Sequence, residues 1–196
     1  MAVHPNFFLR GMGLDSLEDE ALPEGGRIDR AIFWPSFGPY CALTIRDFGE
    51  VGEVELIAHG LNSHHFLFSD LGPPEHWNET QTVPGEALAA FRFEMDEARP
   101  EALADVRPDY QYRDGIGFDA EVRRDGVYHH FDIHDDRDLW QANPAHERYF
   151  LAFWRLALEV LRDDWSRQVL DPRHFGDLLK EEADILFARK TKRRRS

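Results

Sequence analysis

The run His130-Phe131-Asp132-Ile133-His134 sets two imidazoles and a carboxylate at alternate positions. On a β-strand alternate side chains share a face, so His130, Asp132 and His134 point the same way. Two imidazoles and a carboxylate are an acceptable ligand set for zinc or non-haem iron. A solvated polar strand face gives the same alternation, and His-x-Asp-x-His carries little specificity by itself. A second group, His59-Gly60-Leu61-Asn62-Ser63-His64-His65 with His76 beyond it, falls in a long irregular stretch, where functional residues concentrate. A metal-dependent hydrolase would use His130, Asp132 and His134, with His64 as a further ligand. Ser63 beside His64 is not a triad, because no glycine-flanked elbow surrounds it and adjacency in sequence does not create attack geometry. Gly11-Met12-Gly13 and Gly115-Ile116-Gly117 lack the remaining spacing of a dinucleotide fingerprint or a phosphate loop.

The histidines belong to a larger pattern. Asp125-Gly126 supplies the two positive-φ positions of a type I′ turn, so the chain from Phe118 to His134 reads as a β-hairpin. Pairing Arg124 with Val127 fixes the register. Phe118, Ala120, Val122, His129, Phe131 and Ile133 then share an apolar face, on which His129 reads as a satisfied core histidine. The other face sets Asp119 against Asp132, Glu121 against His130 and Arg123 against Tyr128. Like charges directly opposite are destabilising, so Asp119 and Asp132 call for water, a cation or a basic partner. They sit in an acidic strip that runs through Asp105, Asp109, Asp114, Asp119, Glu121, Asp132, Asp135, Asp136 and Asp138, with Tyr110, Tyr112, Tyr128 and Trp140 nearby. Carboxylates interleaved with aromatics suit an interface for a basic protein: the aromatics anchor and the acids steer. The residues read as partner-binding are Asp119, Glu121, Tyr128, Asp132, Asp135, Asp136 and Trp140.

The elements that must position these groups follow from periodicity and punctuation. Leu14 to Leu22 reads as a short helix capped by Asp15 or Ser16. Strands are expected over Ile28–Trp34, Tyr40–Asp47 and Glu53–His59, the last two joined as a hairpin, in an antiparallel meander with one wet face. Cys41 lies on the apolar phase with Leu43 and Ile45 and reads as a small buried hydrophobe. A short strand is expected near Glu79–Val83. Pro84 is expected to open a helix through Ala98, with Leu88, Phe91 and Met95 on its stripe, and Pro100 ends it or starts an extra turn. A long helix from Pro144 to about Arg162, capped by Asn143, presents Phe150, Trp154, Ala157 and Leu161, widened by Phe153, Leu156 and Val160. Asp171-Pro172 repeats the cap-then-proline signal before a last helix carrying Phe175, Leu178, Leu179 and Leu186.

The chain has 196 residues and a formal charge of −14. One core-forming domain over residues 1–188 is the natural reading, followed by a basic tail at 189–196. The tail arginines are not interleaved with aromatics, and the acidic body repels a phosphate backbone, which argues against nucleic acid. No apolar stretch approaches membrane-spanning length, and no signal peptide is apparent. The single cysteine precludes an internal disulfide and suits a reducing cytoplasm.

The hairpin, the preceding Asp114-Gly115-Ile116-Gly117 and the aromatic helix Tyr149 to Leu161 resemble small acidic α+β proteins of bacteria, some of which act as immunity proteins against secreted toxins. The resemblance covers the C-terminal half and rests on architecture and charge. It implies a cytoplasmic protein that binds a basic cognate toxin and blocks its active site, without cofactor or catalysis. The expected fold is α+β, an antiparallel sheet of five to six strands with helices packed mainly on one face. The competing readings are the metal-dependent hydrolase above and an accessory protein docked through its aromatic helix.

Overall fold

Asp125 and Gly126 both adopt positive φ, 50° and 77°, as a type I′ turn requires. The hairpin register follows: Arg124 pairs with Val127, Val122 with His129, Ala120 with Phe131 and Phe118 with Ile133. The other strands repeat the logic of alternation. The computed structural model describes residues 6–35, 40–59, 76–107 and 115–180. Its strands are β1 (Arg27–Pro35), β2 (Tyr40–Asp47), β3 (Val51–His59), β4 (His76–Pro84), β5 (Ile116–Arg124) and β6 (Val127–His134). They form a six-stranded sheet in the order β4-β3-β2-β1-β5-β6, antiparallel throughout.

The helices are α1 (Asn6–Gly11), α2 (Ala89–Ala98), α3 (Arg137–Ala142), α4 (Pro144–Val160) and α5 (Asp164–Val169). The main core lies between one sheet face and α2, α3, α4 and α5. Phe33, Leu43, Leu56, Phe118 and Phe131 of the strands meet Phe91 and Met95 of α2 and Phe150, Phe153 and Ala157 of α4. Phe33, Phe118 and Phe131 pack edge-to-face against Phe150, the geometry that the ring quadrupoles favour. This is the expected α+β architecture, with helices mainly on one face. Among the described residues, no helix is long and apolar enough to cross a membrane.

Several local expectations need correction. Pro84 does not open α2; it closes β4 opposite Val51. Gly85 then donates its N–H to the Glu50 carbonyl at 2.8 Å, and the helix starts only at Ala89. Asn143 precedes α4 but does not cap it, because its side chain donates to the Leu139 carbonyl of the preceding helix. The Leu14–Leu22 helix shrinks to one 3-10 turn, Leu17–Asp19, which Ser16 does cap. After Pro172 the chain makes a 3-10 turn and further turns that bury Phe175, Leu178 and Leu179. Leu186 and the tail at 189–196 lie outside the described residues.

The second sheet face is not wet throughout. Leu9 and Met12 of the N-terminal segment pack on Ile32 and Ala42, and Leu17 is fully buried. This segment lies across β1, β2 and β5 and decides what the acidic residues beneath it can do.

Candidate functional site

The sequence places Asp119, Glu121, Tyr128, His130, Asp132 and His134 on one face of the β5–β6 hairpin, and the structure brings them together there. Their carboxylates, however, are compensated from within the chain. Glu121 is buried, and its Oε2 accepts a hydrogen bond from Arg30 Nη1 at 2.8 Å. Its Oε1 accepts from Ser16 Oγ at 2.7 Å, Tyr128 Oη at 3.0 Å and the Leu17 N–H at 3.2 Å. Arg30 is equally buried and also donates to the Asp15 carbonyl and Thr44 Oγ1. A buried ion pair survives only when its remaining donors and acceptors are satisfied, and here the N-terminal segment satisfies them. Burial, reinforced by the neighbouring Glu121, pushes the Tyr128 hydroxyl up to about 12.

One step along the hairpin, Asp119 is held by Trp34, whose indole N–H donates to it. His130 Nε2 stands 3.4 Å from the other Asp119 oxygen, an ion-pair separation without hydrogen-bond alignment. Burial opposes a charge on His130, but Asp119, Asp132 and Asp105 together outweigh it and raise its pKa above the ordinary 6.5. Burial also pushes Asp132 above the ordinary carboxylate range, against the pull of Arg107. The like-charged pair Asp119–Asp132 therefore sits between two internal cations, His130 and Arg107, with Arg107 Nη2 2.8 Å from Asp132. His134 packs edge-to-face on Trp34 at 5.7 Å between ring centres.

Two elements make this arrangement. Trp34 lies flat over Gly117, where an added Cβ would come within 2.0 Å of the indole ring. The segment Leu103–Arg107 runs beside the edge strand β6. Val106 donates to the Asp132 carbonyl at 2.8 Å, and Asp105 accepts from the Asp132 N–H. His129 and His146 clip that segment down through the Leu103 and Ala104 carbonyls. His129 is thus a satisfied histidine, as its phase implied.

The other three residues read as partner-binding lie elsewhere and have structural partners. Asp135 accepts the Asp177 N–H at 2.9 Å, and burial raises its pKa. Asp136 caps α3 through the Asp138 and Leu139 N–H groups. Trp140 is a core residue, edge-on to Phe118 at 5.1 Å. The expectation of vacant carboxylates awaiting a cation is therefore corrected: those of Asp119, Glu121, Asp132, Asp135 and Asp136 already hold donors of the chain itself. Asp109, Tyr110, Tyr112 and Asp114 of the acidic strip, and Ser63, His64 and His65, lie outside the described residues.

The alternative ligand set does not converge. Among the described residues no three His, Cys, Asp or Glu side chains come together to hold a metal ion. Asp132 turns to Arg107, His134 to Trp34 and His130 to Asp119. Cys41 is buried on the apolar phase, and desolvation raises its thiol pKa far above the range in which a thiolate forms. The aromatic stripe of α4 that an accessory protein would dock through is also used: Phe150, Trp154 and Leu161 are all buried in the core. A cleft of about 460 Å³ on the helix side is walled by charges of both signs, Arg137, Arg148, Arg155 and Lys180 against Glu94, Glu147 and Asp177.

The composition hid two cation–carboxylate systems. Arg27 and Asp29, two positions apart on the core side of β1, form a buried pair with Nη2 2.8 Å from Oδ1. Arg46 joins Glu20 of the N-terminal segment to Glu53 and Glu55 of β3 at 2.9–3.1 Å. Arg46, Glu53 and Glu55 alternate on one phase of adjacent strands, which was a legible signal. Glu20 was not. Comparison with protein-family models, with curated proteins and with solved structures finds no match.

Proposed function

We propose that this protein is a non-catalytic binding module for a basic protein partner, and that its concrete form is neutralisation of a basic toxin by occlusion. The observation that carries the reading is the excess of unpaired surface acid. Once the internal pairs are formed, Glu18, Asp19, Glu24, Glu50, Glu86 and Asp138 remain exposed with side chains in no ion pair, on a chain of net charge −14. A surface of one dominant sign steers a partner of the opposite sign and repels nucleic acid. The buried network on the hairpin face rigidifies the body that presents those acids.

The test is capture with the intact protein from its native host at low ionic strength, followed by titration of the purified captured protein. The expected partner is basic, and its affinity falls as salt rises. For the toxin reading, co-expression restores growth of cells producing that partner. Capture of an acidic protein, or affinity indifferent to salt, overturns the proposal.

A further inference from the structure

The exposed large apolar side chains of the described residues are Phe48, Val51, Phe93 and Val127, and they share one end of the molecule. The register places the β2–β3 turn and the β5–β6 turn at the same end of the sheet, since Arg27 pairs with both Asp47 and Arg124. Phe48 and Val51 close the first turn through the Phe48 N–H and Val51 carbonyl. Val127 stands beside the second. Helix α2 bridges them. Arg92 donates to Asp47 at 2.6–2.7 Å, locking the helix to the first turn, and Asp96 reaches Arg124 beside the second at 3.5 Å.

Phe93 stands on the outward side of that bridge. Phe91 and Met95 point into the core, so a residue one position from each projects away from it, and Phe93 is 61% exposed. Its helical neighbours at three and four positions are Ala89, Ala90, Asp96 and Glu97. A phenyl ring set on two alanines and beside two carboxylates is an apolar anchor with an acidic rim. Val127, 63% exposed, extends the apolar strip past the hairpin turn, next to Asp125.

The charge around the strip says what fits it. Glu50 and Glu86 at the first turn are exposed and unpaired. The nearby cations are largely spent: Arg92 on Asp47, Arg124 between Asp96 and Asp125, and Arg148 on Glu94 and Glu97. Arg99, at the far end of α2, is the exposed exception. Scattered exposed apolar residues are ordinary, but four along one helix and its two flanking turns with an acidic rim mark an interaction surface.

We infer that the partner docks on this strip, with Phe93 seated in an apolar pocket of a basic protein surface and Glu50 and Glu86 opposite its lysines or arginines. The inference rests on the binding reading above and relocates its interface from the hairpin face to the α2 end of the sheet.

The experiment titrates the purified basic protein captured from the host against the full chain and three variants. Phe93→Ala weakens binding by about tenfold or more, as expected of an aromatic anchor, while its melting temperature stays unchanged. The double variant Glu50→Lys with Glu86→Lys weakens it further and flattens the salt dependence. Glu18→Lys with Glu24→Lys makes the same change of net charge away from the strip and leaves affinity within about twofold of the parent. A basic partner whose affinity ignores Phe93 and the strip double but responds to the off-strip double overturns the strip and leaves the binding reading standing. Failure to capture any basic protein overturns both. Sedimentation of the chain alone gives the remaining outcome: a dimer abolished by Phe93→Ala makes the strip a self-association surface and refutes docking of a basic partner there.

Discussion

A carboxylate on the polar phase of a strand has a different meaning depending on what lies above it. Glu121 is the clearest case, because it is fully bonded to Arg30, Ser16, Tyr128 and Leu17. Glu121→Ala leaves the Arg30 guanidinium buried without its counter-charge. The expected cost is about 3–5 kcal/mol, measured by urea unfolding. A loss near zero would mean that Arg30 finds water in the variant. His130 acts through protonation. Its folded-state pKa is raised above the ordinary 6.5 by Asp119, Asp132 and Asp105 despite burial. A raised histidine pKa contributes stability that is fully present below the unfolded value and is lost as pH rises through the folded value. The stability difference between the parent and His130→Gln should therefore be largest below pH 6.5 and shrink above it. A difference that grows with pH would show that His130 is held neutral.

At the scale of elements, two short segments do the positioning. Gly117 lets Trp34 lie against the backbone and reach Asp119. Gly117→Ala drives a methyl group into the indole. The expected loss is about 1–3 kcal/mol, as for overpacking, with a changed tryptophan emission spectrum as the indole moves. An unchanged spectrum would show that the strand shifts instead. Asp136 caps α3, and Asp136→Ala should cost about 1 kcal/mol in thermal unfolding, an effect that a purely partner-facing carboxylate would not produce. The hairpin register was legible because a two-residue Asp-Gly turn and a period of two leave one solution. The cap at Asp136 was hidden because the aspartates following His134 read as loop acidity, and α3 has only six residues. Pro84 misled for a related reason: proline at a first helical position and proline closing an edge strand look alike locally, and the pairing of Pro84 with Val51 separates them.

For the molecule as a whole, the decisive unknown was which segment covers the second sheet face. Ser16 lies 105 positions from Glu121, and nothing local to either residue announces the contact. Period-two alternation tells which side chains share a face but not whether water or another part of the chain meets that face. The N-terminal segment meets it: Leu9 and Met12 on Ile32 and Ala42, Leu17 over the hairpin, and Glu20 on Arg46. The protein thus has a main core on the helix side and a smaller one beneath this segment, joined through the sheet. If the two unfold together, a cavity under the N-terminal segment must weaken the whole fold. Leu17 is fully buried while its neighbour Glu18 is exposed. Leu17→Ala should cost about 2–4 kcal/mol in a single urea transition, with amide protection reduced across β1 and β5, whereas Glu18→Ala should stay within about 0.5 kcal/mol of the parent. A separate early transition for Leu17→Ala, with the β1 and β5 amides still protected, would instead make the segment an independently detaching cover. In that case Arg30 and Glu121 would become available to a partner once it lifts.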